Sequence, residues 1–177
     1  MTPQEAVKIC FTKYFDFTGR ARRAEFWWFI LFTVILGICL DGIETFLGLD
    51  FEISVENANG ESDWADMGGP LSLVFSLATF FPQIAVTARR LHDIDRSGWW
   101  QVGIPLIVIF VGVVFYMAAA FLGVQTDTRV GAAIILGMTV ILIIACVVWL
   151  IVWLAKIGQS GSNRFGDDPL TSDEKAA

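Results

Sequence analysis

The sequence contains few of the residues that build metal centres and disulfide frameworks. It has one histidine, His92, and three cysteines, Cys10, Cys39 and Cys146, which show no Cys-x-x-Cys spacing. An odd number of widely spaced cysteines predicts neither a disulfide framework nor a zinc site. Walker loops, dinucleotide fingerprints, His-Glu-x-x-His motifs and Gly-x-Ser-x-Gly elbows are also missing. The sequence therefore predicts no metal and no cofactor, and it lends no support to an enzymatic activity.

Basic residues are absent from one long loop of the chain. The segment 50–69 has no lysine or arginine. Its carboxylates are Asp50, Glu52, Glu56, Glu61, Asp63 and Asp66. They lack the spacing of an EF-hand loop, so the pattern does not predict a calcium site. The net charge of −6 also argues against general nucleic-acid binding.

Four long apolar stretches take up most of the 177 residues, 55% of which are hydrophobic. They cover approximately residues 26–49, 71–88, 99–124 and 130–155. Each is near the roughly 20 residues that a helix needs to cross a bilayer. The pattern predicts an all-α membrane protein with four transmembrane helices, which form one membrane domain over residues 1–170. The small, polar tail at 171–177 has no periodicity, and we expect it to be disordered.

The distribution of basic residues predicts the orientation in the membrane. Eleven of the twelve precede the first stretch, separate the second from the third, or follow the fourth, and the exception is Arg129. Because basic loops stay in the cytoplasm, both termini are predicted to be cytoplasmic. Six of the seven tryptophans fall at the predicted cytoplasmic ends of the spans and would form an interfacial belt. They are Trp27, Trp28, Trp99, Trp100, Trp149 and Trp153.

The N-terminus predicts a short amphipathic helix on the cytoplasmic side. Thr2, Pro3 and Glu5 have the spacing of a capping box with proline at the first helical position. Apolar or aromatic residues then recur at 7, 10, 11 and 14. Two placements remain open, on the membrane surface or packed against the bundle itself.

Polar residues form a stripe on each of the first two spans. The stripe comprises Ser72, Ser76, Thr79, Gln83 and Thr87 on the second span, with Asp41 and Glu44 near the outer end of the first. Lipid-facing polar groups are costly, so we expect the stripes to face the bundle interior. Interhelical hydrogen bonding and a solute pathway are both open roles. We expect Asp41 and Glu44 to end the span in water; if they are buried, Arg129 is their predicted partner.

A proline interrupts the second span next to the polar stripe. Pro82 has no backbone N–H, so it leaves a carbonyl near Ala78 without its helical donor. Such kinks often only shape helix packing. A kink beside Gln83 also marks where a cavity would be expected.

Three polar segments combine arginine, aspartate and aromatic residues. The first two contain Gly19-Arg20-Ala21-Arg22-Arg23-Ala24-Glu25-Phe26-Trp27 and Arg89-Arg90-Leu91-His92-Asp93, and the third runs from Gly161 to Pro169. On these motifs, the chain from about Tyr14 to Pro169 resembles the bacterial inner-membrane family catalogued as domain of unknown function 805. The resemblance implies a small four-span inner-membrane protein and no particular reaction.

The arginines of these segments are the candidate binding groups. Arg20, Arg23, Arg89, Arg90, Arg96 and Arg164 could bind an anion or a lipid headgroup, since guanidinium holds phosphate bidentately. Alternatively they pair with Glu25, Asp93, Asp95 and Asp167 and fasten the cytoplasmic ends together. His92 and Asp93 form a minimal acid/base pair, for which a structural role is the alternative.

Three functions follow as hypotheses. The first is a non-enzymatic protein of the bacterial inner membrane that binds anionic lipid headgroups or a partner's acidic segment. The second is a small transporter or channel that uses the polar stripes and self-associates into a homo-oligomer. The third is a lipid-modifying enzyme at the cytoplasmic face.

Overall fold

A computed structural model describes residues 1–56, 62–66, 68–121 and 129–170. Within these ranges the elements are α1 (Pro3–Thr12), α2 (Arg23–Leu47), β1 (Glu52–Glu56), β2 (Ser62–Asp66), α3 (Pro70–Asp93), α4 (Trp100–Phe121) and α5 (Arg129–Ala155). Helices α2 to α5 each contain a segment long and apolar enough to cross a membrane. The predicted helical membrane protein with four spans and an N-terminal helix is confirmed. The predicted disordered tail at 171–177 lies outside the described residues.

Helix α3, the predicted second span, continues past its predicted end at residue 88 as far as Asp93. The apolar run ends earlier, but an ion pair between Arg90 and Asp93 at i, i+3 supports the extra turn. The helix then closes with a left-handed residue, Asp95, at φ 57°. Its N–H donates to the carbonyl of His92 over 3.0 Å, and the N–H of Arg96 donates to that of Leu91 over 2.9 Å. The polar motif at 89–93 is thereby held on a helix.

A two-stranded antiparallel sheet occupies the acidic loop, which the sequence analysis did not predict. β1 and β2 pair with Glu52 opposite Asp66 and Ser54 opposite Trp64. The sequence carried a signal for it, because polar and apolar residues alternate along Glu52–Glu56. The Asn59-Gly60 dipeptide also favours hairpin turns, although it lies outside the described residues.

The chain clusters into two compact units. Unit 1 comprises Met1–Phe17 and Ala24–Val86, and unit 2 comprises Thr18–Arg23 and Thr87–Ala177. The single membrane domain over 1–170 stays a prediction.

Unit 1 holds the amphipathic helix α1. The Thr2 side chain accepts from the N–H of Glu5, and the Glu5 side chain accepts from the N–H of Thr2, so the predicted capping box is confirmed. Cys10 of α1 is fully buried, and the Phe11 ring lies edge-on to Phe29 of α2 at 5.8 Å. The apolar face of α1 thus packs on the protein, which favours the second of the two placements.

Pro82 leaves a carbonyl of α3 without its helical donor, as predicted, and the Tyr14 hydroxyl replaces the missing donor. The hydroxyl donates to the carbonyl of Ala78, four residues before Pro82, over 2.8 Å. The segment after α1 is thereby tied to the proline site of α3.

The expectation that Glu44 ends the first span in water is wrong, because its side chain is fully buried. The carboxylate accepts from the backbone N–H groups of Leu71 and Ser72, in the first turn of α3. A carboxylate is favourable there because those N–H groups have no intrahelical acceptor and the helix dipole is positive at its N-terminus. Asp41 is exposed, as expected. The side chain of Arg129, the partner proposed for buried carboxylates, lies outside the described residues.

The polar stripe of α3 does not share one environment. Thr79 is buried, Ser72 and Thr87 are half-buried, and Ser76 and Gln83 are exposed. The Thr79 hydroxyl donates to the carbonyl of Phe75 in its own helix over 2.9 Å. The burial of Thr79 agrees with an interior-facing stripe, and the exposure of Ser76 and Gln83 does not.

Candidate functional site

In unit 2, the C-terminal end of α3 contacts residues 18–23, the end of α5 and the segment that follows α5, and the first residue of α4, Trp100, contacts Trp153 of α5. We call this region the basic end and name residues 156–170 the strap. At its centre is Asp93, the last residue of α3, whose carboxylate faces two arginines. Arg20 Nη2 lies 2.9 Å from Asp93 Oδ1, and Arg90 Nη1 pairs with Oδ2. Both guanidinium groups are almost fully buried, so these three residues form a buried ion cluster, the Asp93 cluster, with a formal charge of +1.

Arg90 also fastens the end of α5. Its Nε donates to the carbonyl of Leu154 over 2.9 Å, and its Nη2 donates to the carbonyl of Lys156. The last carbonyls of a helix have no intrahelical donor and carry the negative end of its dipole. A guanidinium at this place satisfies both the hydrogen bonding and the charge.

Arg20 holds the strap in the same way. Its Nη1 and Nη2 donate to the carbonyls of Gly161 and Gln159. The N–H of Gln159 donates to the Asp93 carbonyl over 2.8 Å. Gly158 passes so close to Asp93 that a Cβ at that position would overlap the carboxylate. The strap is therefore built around the Asp93 cluster.

His92 joins three segments rather than forming a dyad with Asp93. Its Nδ1 donates to the carbonyl of Gly19 over 3.1 Å, and its ring stacks on Phe165 with centroids 3.9 Å apart. Its carbonyl accepts from the Asn163 side chain over 2.9 Å. Because the Asp93 carboxylate is engaged by arginines, the predicted acid/base pair is not brought together. Among the described residues, no group of three metal-ligating side chains is found.

The far end of the strap is organised by Asp168. Its carboxylate accepts from the N–H groups of Leu170 and Gly161, both over 2.9 Å. These backbone hydrogen bonds lower the pKa of Asp168 below its usual value, with smaller contributions from the charges of Arg20 and Arg22. Arg22 Nε also donates to the carbonyl of Pro169 over 2.9 Å, so residues 18–23 bind both ends of the strap.

The other candidate arginines differ in their surroundings. Arg89 is fully buried, and its carbonyl accepts from the N–H of Ala21 over 3.0 Å. Arg23 is exposed at the start of α2. Arg164 is exposed and pairs with Asp95 over 2.9 Å. Of the carboxylates predicted as partners, Asp93 and Asp95 thus pair with arginines.

Arg96 and Arg164 both lie over an aromatic ring, Trp153 and Phe165 respectively, but Arg164 also pairs with Asp95. The guanidinium carbon of Arg96 lies 4.9 Å from the ring centroid of Trp153, and the side chain is exposed. Among the described residues, no carboxylate lies within ion-pair distance of it. Arginine over an indole face is held by cation–π attraction and can still use its N–H groups for an anion.

Arg96 lies at the edge of an apolar groove between α4 and α5. The groove has a volume of about 340 Å³, and among the described residues that line it Arg96 is the only charged one. The remaining lining residues are Trp100, Ile104, Ile107, Cys146, Trp149 and Trp153. Trp153 lies edge-on to both Trp100 and Trp149, at 5.6 and 5.9 Å.

The predicted tryptophan belt is divided between the two units. Trp100, Trp149 and Trp153 cluster around the groove, and Trp99 beside them is 79% exposed. Trp27 and Trp28 stand in the first turns of α2 and are partly exposed, and they belong to unit 1.

The backbone groups that bind Arg20 and Arg90 were not predicted from the sequence. These groups are backbone carbonyls of Leu154, Lys156, Gln159 and Gly161, which every residue type possesses, so residue identity gives no signal for them. The stacking of His92 on Phe165 was also missed. The only sequence signal was the polar motif from Gly161 to Pro169, whose position relative to residue 92 depends on the fold.

The chain is similar to a protein family and to proteins that are named as inner membrane proteins. Residues 14–167 match the model of a family described as "Protein of unknown function (DUF805)". The inner membrane protein YhaI of Escherichia coli K12 is 32% identical over 156 residues, which cover 88% of this chain and 87% of YhaI. The inner membrane protein YhaH of the same strain is 31% identical over 158 residues, or 88% of each chain. No solved structure matches. The chain therefore belongs to the DUF805 family and is a membrane protein.

Proposed function

We propose that this chain is a non-enzymatic protein of the bacterial inner membrane that binds anionic lipid headgroups at its basic end. Its relatives YhaI and YhaH are named inner membrane proteins, and α2 to α5 have the length and apolarity of membrane spans. Eleven of the twelve basic residues fall in segments that the charge rule assigns to the cytoplasm. In this proposal both termini and the basic end face the cytoplasm.

The proposal rests on a difference in hydrogen bonding between Arg96 and the two arginines of the Asp93 cluster. The N–H groups of Arg20 and Arg90 donate to Asp93 and to backbone carbonyls, so these two arginines have a structural role. Arg96 keeps its N–H groups available, lies on Trp153 and has apolar surface beside it. A guanidinium at the junction of a polar end and an apolar groove matches a lipid phosphate at a membrane interface.

The surroundings of Arg96 favour an anion further. The carboxylate of the neighbouring residue, Asp95, is paired with Arg164 and so is partly neutralised. The Asp93 cluster carries a formal charge of +1, which adds to the attraction for anions. Trp100 and Trp153 place indole rings beside the guanidinium, as expected for an interfacial headgroup site.

The test is native mass spectrometry of the protein released from its own membranes. Wild type is compared with Arg96→Gln and with Arg23→Gln, which removes the same charge from an exposed arginine at the start of α2. We expect an anionic phospholipid adduct on wild type and on Arg23→Gln. The affinity of Arg96→Gln should be lower by about tenfold or more, as for a lost charge-assisted hydrogen bond. No anionic lipid on wild type, or equal binding by Arg96→Gln, would contradict the proposal.

A further inference from the structure

We infer that the groove between α4 and α5 holds one acyl chain of the phospholipid whose phosphate is bound by Arg96. The site would then recognise an intact anionic phospholipid and not a soluble phosphate. This inference rests on the proposed function and adds to it the second half of the ligand.

The course of the groove matches that of an acyl chain whose headgroup is bound at Arg96. Trp100, Ile104 and Ile107 of α4 recur at i, i+4 and i+7, and Cys146, Trp149 and Trp153 of α5 recur at i, i+3 and i+7. Each set therefore forms one face of its helix and extends about 10 Å along the helix axis. Because Trp100 contacts Trp153, the groove begins at the level of Arg96 and runs along the helices toward Ile107 and Cys146. An acyl chain that leaves a headgroup at Arg96 follows the same direction.

The chemistry of the groove lining also matches a lipid. Every described lining residue other than Arg96 is apolar or aromatic, and Arg96 lies at one end of the groove. A ligand that matches this pattern has one anionic end and an apolar body. A soluble anion would leave the apolar walls unused, and a neutral hydrocarbon would leave Arg96 unused. The groove volume of about 340 Å³ also lies within the range of small-molecule binding sites.

Ile104 and Ile109 provide a matched pair of test positions. Both are isoleucines of α4, but Ile104 lines the groove and Ile109 is 62% exposed on the apolar surface. Ile104→Trp fills the groove, and Ile109→Trp adds the same bulk outside it. Detergent-purified wild type, both isoleucine variants and Arg96→Gln are titrated with dioleoyl phosphatidylglycerol and with glycerol phosphate, and bound species are read by native mass spectrometry.

On wild type we expect saturable binding of the phospholipid and at least about tenfold weaker binding of glycerol phosphate. Ile104→Trp should weaken phospholipid binding by about tenfold, equivalent to roughly two displaced methylene groups. Ile109→Trp should bind as wild type. If Ile104→Trp retains wild-type affinity while Arg96→Gln loses it, the headgroup site stands and the acyl groove is wrong. If Arg96→Gln also binds normally, the proposed function fails as well.

A measurement on wild type alone covers the case in which Ile104→Trp does not fold. Phosphatidylglycerols with shorter acyl chains should bind progressively more weakly once the chain no longer reaches Ile107 and Cys146. Equal affinity for all chain lengths and for glycerol phosphate would show that Arg96 binds the anion without the groove, and the inference would be overturned.

Discussion

Arg20 and Asp93 lie 73 positions apart in sequence and form a buried ion pair with 2.9 Å between Nη2 and Oδ1. Arg90 binds the other oxygen of the same carboxylate. Replacing the carboxylate by an amide would leave two buried guanidinium groups without a counter-charge. We expect Asp93→Asn to lower the free energy of unfolding by about 3–5 kcal/mol, the cost of breaking a buried ion pair. Unfolding in detergent or bicelles measures this.

Asp95→Asn is the matched control for that change. Asp95 also pairs with an arginine, but both side chains are about half exposed or more, so water and salt screen the pair. We expect the control to lose less than about 1 kcal/mol. Equal losses in the two variants would show that the Asp93 cluster has no special structural role.

Gly158 should not tolerate a methyl group. A Cβ at this position would overlap the Asp93 carboxylate, which is held from the other side by Arg20 and Arg90. We expect Gly158→Ala to lower the midpoint of thermal unfolding and to release the strap, seen as faster amide exchange at Gln159. Gly112→Ala on α4, where a Cβ meets open space, should leave both unchanged. Unchanged exchange at Gln159 in Gly158→Ala would contradict the prediction.

The hydrogen bond from Tyr14 to the Ala78 carbonyl is useful because Pro82 provides no helical donor there. Tyr14→Phe should cost about 1 kcal/mol of unfolding free energy, the net value of one hydrogen bond. Pro82→Ala restores an N–H four residues after Ala78, so the same Tyr14→Phe change should cost clearly less in that background. A double-mutant cycle measures the coupling. Strictly additive effects would mean that the hydroxyl does not compensate for the proline.

Acid should loosen the strap through Asp168. The folded-state pKa of this carboxyl is lowered by hydrogen bonds from Leu170 and Gly161, so the unfolded form takes up a proton first as the pH falls. The stabilisation is complete above the ordinary aspartate pKa near 4 and is lost as the pH falls through that value toward the lower folded one. Protection factors for the Gly161 amide between pH 6 and pH 3 should fall accordingly. Asp168→Asn should start with lower protection and show little of this dependence.

The sequence by itself determined the features that depend on neighbours along the chain. Apolar runs of about span length predicted α2 to α5, because a backbone in lipid must satisfy its own hydrogen bonds and a helix does so locally. The capping box at Thr2 and Glu5 predicted the start of α1, since its partners are three residues apart. The missing donor at Pro82 was likewise visible in the sequence. The pairing of Glu52–Glu56 with Ser62–Asp66 could have been predicted from the alternation along the first of these strands and was not.

Only the tertiary structure decided what the charged residues do. Arg20, Arg90 and Arg96 look alike in sequence, yet two are buried on Asp93 and on backbone carbonyls while the third faces outward over Trp153. Glu44 binds the N-terminus of α3 because that turn is brought to it, and hydropathy alone had left it in water. The physical reason is the same in each case. Burying a charge is favourable only when partners distant in sequence satisfy it, and their positions are set by the fold.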